Sequence, residues 1–244
     1  MPNLAHPGHL PNLRPGKEPL PRDWLPRQRR GVTPQMIGRY PDYDVLESSD
    51  TWDAATRRAV LARLAPHGPL RFFTADEEPT LRAFCDVATA QDAEPRIPVA
   101  EMVDEKLAAG KLDGFRHAGM PDDRDTWRLV LRGLDEAAAA RAGAPSFASC
   151  PEGPRAEIMD ALEAGTLEAP SLEGLDGGLA WSVCMRMILA AFYAHPWAWN
   201  EIGFGGPAYP RGFMRMGPLG TREPFERPGA TDEDPVRVAG DAGA

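Results

Sequence analysis

Between residues 51 and 194 the apolar side chains of this chain fall three and four residues apart, and nowhere does a run of β-branched residues alternate with polar ones. That spacing builds helices with one buried face and leaves strands few and short. The first helix is expected to begin at Asp50 or Thr51 as N-cap and to run to about Ala65, carrying Trp52, Val60, Leu61 and Leu64, before Pro66 and Gly68 end it. Thr74 and Glu77 form the pattern of a capping box ahead of Leu81, Phe84, Cys85 and Ala88, which share one face. A third helix follows Pro98 with Val99, Met102, Val103 and Leu107 inward and stops at Gly110. A fourth, capped by Asp122 or Asp123, carries Trp127, Val130, Leu131, Leu134 and Ala138 and ends before Gly143. Pro154 to Ala164 gives a short helix with Ile158, Met159 and Leu162 inward, and Leu179 to Ala194, apolar nearly all round, is expected at the centre of the bundle. The fold class is therefore mainly α, an irregular bundle of about six helices.

The flanks read differently. Residues 1–50 hold nine prolines and no apolar period, the signature of an extended arm. Through residue 40 this arm carries seven Arg and Lys against Glu18 and Asp23, a balance of +5, whereas the whole chain is at −9, so the remainder stands at −14. Only one of the arm's cations is Lys, and its aromatics through Tyr40 are Trp24 and Tyr40, which argues against a nucleic-acid surface and for an arm lying on an acidic face. The whole chain is 43% hydrophobic, enough for the body, 51–194, to build a true core. Residues 195–225 form a separate aromatic segment, and 226–244 a loose tail.

No apolar run of the about 7–15 residues that a secretory signal needs opens the chain, and the stretch Gly31-Val32-Thr33-Pro34-Gln35-Met36 after Arg29-Arg30 is too polar for a twin-arginine signal. Leu179 to Tyr193 is shorter than the about 20 residues of a membrane span and contains Arg186, so no direct span is expected.

Chemistry finds little to stand on. Cys85, Cys150 and Cys184 are widely spaced, with no C-x-x-C pair, and the five histidines (His6, His9, His67, His117, His195) show no metal-ligand spacing. No nucleophile elbow occurs, and Ser48, Ser49, Ser146 and Ser149 sit in turn or cap contexts. Gly203-Phe204-Gly205-Gly206-Pro207 lacks the preceding strand and following helix of a phosphate loop, so its glycines are expected to serve shape. No catalytic, cofactor-binding or metal residue is assigned; a rival catalytic pocket would have to gather His195, Glu201 and Arg211.

There remain residues 195–213, with Trp197, Trp199, Phe204, Tyr209 and Phe213 and the imidazole of His195. Rings of this size are not left in water, since burying each contributes on the order of 1.5–3 kcal/mol. The segment either closes its own bundle or docks a partner, and periodicity does not separate the two.

Three stretches resemble the gluconate 2-dehydrogenase subunit 3 family: Phe72-Phe73-Thr74-Ala75-Asp76-Glu77 with Leu81; Gly133-Leu134-Asp135 followed by Phe147; and Tyr193-x-His195-Pro196 running into Ile202-Gly203-Phe204-Gly205-Gly206-Pro207-x-Tyr209-Pro210-Arg211-Gly212. The resemblance implies a subunit with no flavin, heme or catalytic residue of its own. It would stabilise, mature or help export a large FAD-dependent partner of the glucose-methanol-choline (GMC) oxidoreductase type, which oxidises a sugar, polyol or sugar acid and passes electrons to a cytochrome c subunit or another acceptor. It also implies that His195, Trp197, Trp199, Phe204, Tyr209, Arg211 and Phe213 bind that partner, with Trp197, Trp199 and Phe204 partly anchored on the central helix and Tyr209, Arg211 and Phe213 facing outward. The alternatives are a stand-alone oxidoreductase and an assembly or export chaperone that leaves the mature complex. Relatives often carry a twin-arginine signal; lacking one, this chain is expected in the cytoplasm, or in the periplasm if a signal-bearing partner exports it.

Overall fold

The computed structural model describes residues 44–92, 94–112, 114, 116–210 and 212. The extended arm to residue 43, the loose tail, and the candidate residues Arg211 and Phe213 lie outside them. Seven α-helices are described: α1 (Ala54–Leu61), α2 (Glu78–Ala88), α3 (Val99–Ala108), α4 (Asp123–Ala142), α5 (Glu152–Glu163), α6 (Gly177–Phe192) and α7 (Pro196–Ile202). Short 3-10 helices join them, and there is no strand among the described residues. The mainly helical, irregular bundle is thus as the periodicity requires. The described residues fall into two compact units, one comprising 67–92 and 98–192, the other 44–66, 94–97 and 193–212.

In the larger unit α6 packs against α2, α3, α4 and α5, the central place expected of the most apolar helix. The expected reciprocal bonds form one turn ahead of α2, where Glu77 Oε2 accepts from the Thr74 N–H at 2.8 Å and Thr74 Oγ1 accepts from the Glu77 N–H at 3.3 Å, while the N-cap of the helix is Glu77 and not Thr74. Asp122, not Asp123, caps α4 by accepting the Arg124 N–H, and Gly143 ends the helix in the left-handed conformation at φ 62°.

The stretches 72–77 and 133–147 owe their character to this unit. Asp104, buried on α3, accepts the backbone N–H groups of Arg71 (2.7 Å), Phe72 (2.9 Å) and Phe73 (3.0 Å) and so fixes the chain that enters α2. Gly133 leaves room for Leu172: a Cβ there would lie 2.7 Å from Leu172 Cγ. Leu134 is buried beside it in sequence, and Asp135 accepts both the Thr80 hydroxyl (2.6 Å) and the Phe147 N–H (2.8 Å).

Cys85 and Cys184 are buried in this unit, and desolvation pushes both thiols well above the ordinary value. As pH rises through 9.0, the ordinary thiol value, the unfolded chain releases protons that the folded chain keeps. Stability from these two groups is therefore full below that pH and falls above it. Denaturant midpoints at pH 8 and 10 should drop more in the wild type than in Cys85→Ala/Cys184→Ala, and neither thiol should react with a thiol reagent before unfolding.

The smaller unit corrects two boundaries. Val45–Thr51, read as the end of the extended arm, is a 3-10 helix capped by Asp44, whose Oδ1 accepts the Leu46 N–H. Helix α1 starts at Ala54 with Asp53 as its cap, accepting the Thr56 N–H at 2.8 Å. Asp50 and Thr51 do not cap it, because the Asp50 carboxylate binds Arg57 (2.9 Å) and the Thr51 hydroxyl bonds back to the Ser48 carbonyl.

Candidate functional site

The aromatic segment opens as a helix and not as a loop. His195 takes the N-cap position with extended backbone, its Nδ1 accepting the Trp197 N–H at 3.2 Å, and Pro196 supplies the first helical residue with φ already suited to it. Seven residues later Gly203, at φ 68°, turns the chain left-handed, and the Phe204 N–H reaches back to the Trp199 carbonyl at 2.9 Å in a Schellman closure. Pro just inside the start and Gly just past the end are the sequence signals of this helix; two turns are too short to show a period.

Long-range ties fasten α7 to the start of the described chain. Asn200, buried, accepts the Val45 N–H through Oδ1 at 2.8 Å. Arg63 donates to the Ala194 carbonyl at 2.7 Å and lays its guanidinium 5.6 Å from the Trp199 ring, and the indole N–H of Trp199 closes on the Tyr193 carbonyl at 2.6 Å. Partial burial draws the Arg63 pKa down by desolvation. Gly206, at φ 74°, passes so close to Trp52 and Val45 that a Cβ would sit 3.0 Å from the indole and 2.9 Å from the valine methyl. Both glycines serve shape, as expected of them. Neither Asn200 nor Arg63 stands out in the sequence, since a carboxamide beside a tryptophan and an arginine in the 3-10 turn after α1 carry no local signature of a contact more than a hundred residues away.

Of the seven residues assigned to partner binding, His195, Trp197 and Trp199 are buried within the chain. Phe204 is 42% exposed and rests edge-on against Trp199 at 5.5 Å, and Tyr209 is 61% exposed. Tyr193 and Ile202, missing from that set, are exposed as well. Two exposed aromatics thus flank buried Trp199: Tyr193 through the carbonyl that takes its indole N–H, Phe204 through its ring. His195 and Glu201, the described members of the rival catalytic pocket, are 2% and 1% exposed. Among the described residues no group of three His, Cys, Asp or Glu side chains converges on a metal position, and no single helix is long and apolar enough to cross a membrane.

A family model described as gluconate 2-dehydrogenase subunit 3 matches residues 75–206. The chain belongs to this family. In this member of the gluconate 2-dehydrogenase subunit 3 family the match runs from the turn before α2 to Gly206, and so takes in the Asp135 tie, all of α6 and α7, and the glycine that packs on Trp52. No curated protein and no solved structure matches it. The family name is that of a subunit of a gluconate dehydrogenase, consistent with an accessory role.

Proposed function

We propose that this chain is the non-catalytic small subunit of a flavin-dependent sugar or alcohol dehydrogenase, binding and stabilising a GMC-type large subunit that holds the FAD and passes electrons to a cytochrome c subunit or another acceptor. The observation that carries the reading is a firmly built platform with apolar side chains left outward: Tyr193, Ile202, Phe204 and Tyr209 stand exposed on a unit whose backbone is fastened by Asn200, Arg63 and Gly203. Aromatic residues held rigidly lose little entropy when a partner covers them, and such anchors dominate interface energies. The family supports the accessory part of this reading.

Tyr209→Ala tests it. Truncating a central aromatic anchor costs about 2 kcal/mol or more, so affinity for the proposed flavoprotein large subunit should fall about 30-fold, with the helical circular dichroism and melting temperature unchanged. Loss of the fold in Tyr209→Ala would instead make the residue part of the chain's own core. A purified chain that is yellow with bound flavin, or that oxidises sugars alone with an artificial acceptor, would replace the proposal with the stand-alone enzyme.

A further inference from the structure

On the larger unit, α4 carries Arg124, Arg128 and Arg132 four residues apart, so their side chains follow one another along a single stripe of the helix. The first two are held in place. Arg124 Nε donates to the Leu107 carbonyl at 3.0 Å, and its guanidinium lies 5.2 Å from the centre of the Phe72 ring. Arg128 stacks closer on the same ring, at 4.4 Å, and donates to the Phe72 carbonyl at 3.1 Å. Arg132 and Arg71, the residue before Phe72, are exposed.

These charges are barely discharged by the chain itself. Among the described residues the only carboxylate within 4 Å of the four guanidiniums is Glu77, 3.7 Å from Arg128 Nε, and its other oxygen is already occupied by the Thr74 N–H and hydroxyl. Glu136, further along α4, is taken by the Ser171 N–H and hydroxyl at 2.8 and 2.6 Å. A positive stripe on a chain of net charge −9 is thus a local departure from the field around it. Nucleic acid and anionic lipid would meet that surrounding negative field over any larger footprint, whereas a short carboxylate-bearing segment of a folded protein meets only the stripe. Planar guanidiniums already immobilised by a ring and by carbonyls match carboxylates with little further ordering.

We infer that the Arg124, Arg128 and Arg132 stripe, with exposed Arg71 next to its Phe72 in sequence, is a second docking surface, which receives an acidic segment of the flavoprotein large subunit. The inference rests on the proposed function. It adds a charged contact on one unit to the aromatic contact on the other, and two contacts to one partner raise affinity beyond either alone.

The test uses the full chain and the flavoprotein large subunit of the proposed complex, with binding measured at about 0.1 M and about 1 M salt, where the screening length falls from about 10 Å to about 3 Å. The variant is Arg71→Glu/Arg132→Glu, chosen because both side chains are exposed and neither supports Phe72. About tenfold weaker binding at low salt, with a flattened salt dependence and an unchanged melting curve, is the expected result. Unchanged affinity and salt dependence in this variant, while Tyr209→Ala still releases the partner, overturns the stripe and leaves the proposed function standing. A wild-type chain that forms no complex with the flavoprotein overturns both. A chain ending at Gly212 that binds more tightly, with the gain absent in Arg71→Glu/Arg132→Glu, would give the stripe to this chain's own Asp232-Glu233-Asp234 and also overturns the inference.

Discussion

Asp104→Ala is expected to destabilise the larger unit by about 3–5 kcal/mol, a large part of the roughly 5–15 kcal/mol that holds a domain together. One carboxylate takes three successive backbone N–H groups, from Arg71, Phe72 and Phe73, over distances of 2.7–3.0 Å. Alanine leaves all three donors without that acceptor, and the Phe73 group is buried, where water does not replace it. The segment so released is the one that places Phe73 against Trp127 at 5.9 Å, so the loss reaches the centre of the core. Melting followed by circular dichroism should show a fall of about 10 °C. Asp104→Asn should fall between the two, because the amide oxygen can keep the Phe72 and Phe73 donors while its NH2 faces the Arg71 N–H. Equal melting temperatures for wild type and alanine variant would show that the carboxylate is not what holds this turn.

Gly206→Ala should be the second most damaging change, at about 2–4 kcal/mol, and should act on the smaller unit. At φ 74° an L-residue meets its own carbonyl, which costs roughly 1–2 kcal/mol, and the added methyl would stand 2.9 Å from Val45 Cγ2 and 3.0 Å from Trp52 Cζ2. Neither neighbour yields easily, since the valine is β-branched and the indole is a buried plate. The methyl pushes on the segment whose Val45 N–H meets Asn200, so the expected readouts are faster hydrogen exchange at Val45 and weaker binding of the proposed flavoprotein partner, with the larger unit's core amides still protected. An alanine variant with unaltered exchange at Val45 would mean that the loop shifts without strain.

The larger unit was legible because each of its helices is long enough to show a face and is bounded by residues that act locally. The Thr74 and Glu77 box, Asp122 ahead of α4 and Gly143 behind it all work within a few residues of themselves, and a sequence reports such contacts directly. The smaller unit was poorly legible for the opposite reason. Its helices are one or two turns long, and its closing bonds join residues that no window spans, Val45 to Asn200 and Arg63 to Ala194. Composition marked the aromatic segment but not which rings turn inward. That choice follows from α7, which buries Trp197, Ala198, Trp199, Asn200 and Glu201 in succession and leaves Ile202 and Phe204 outside. Asp104 escaped notice although its position holds a hint, a carboxylate adjoining Val103 on the face that α3 buries.

The bond between Val45 and Asn200 spans 155 positions, and this sets an order of events during synthesis. Contacts between residues so far apart form late, after the intervening chain has been made and has settled. The larger unit is complete once Phe192 has left the ribosome, whereas the platform waits for both of its ends. A polypeptide ending between Phe192 and Asn200 would contain every residue of the larger unit and present no complete aromatic face. Recognition through that face would thus admit only finished molecules into the assembly.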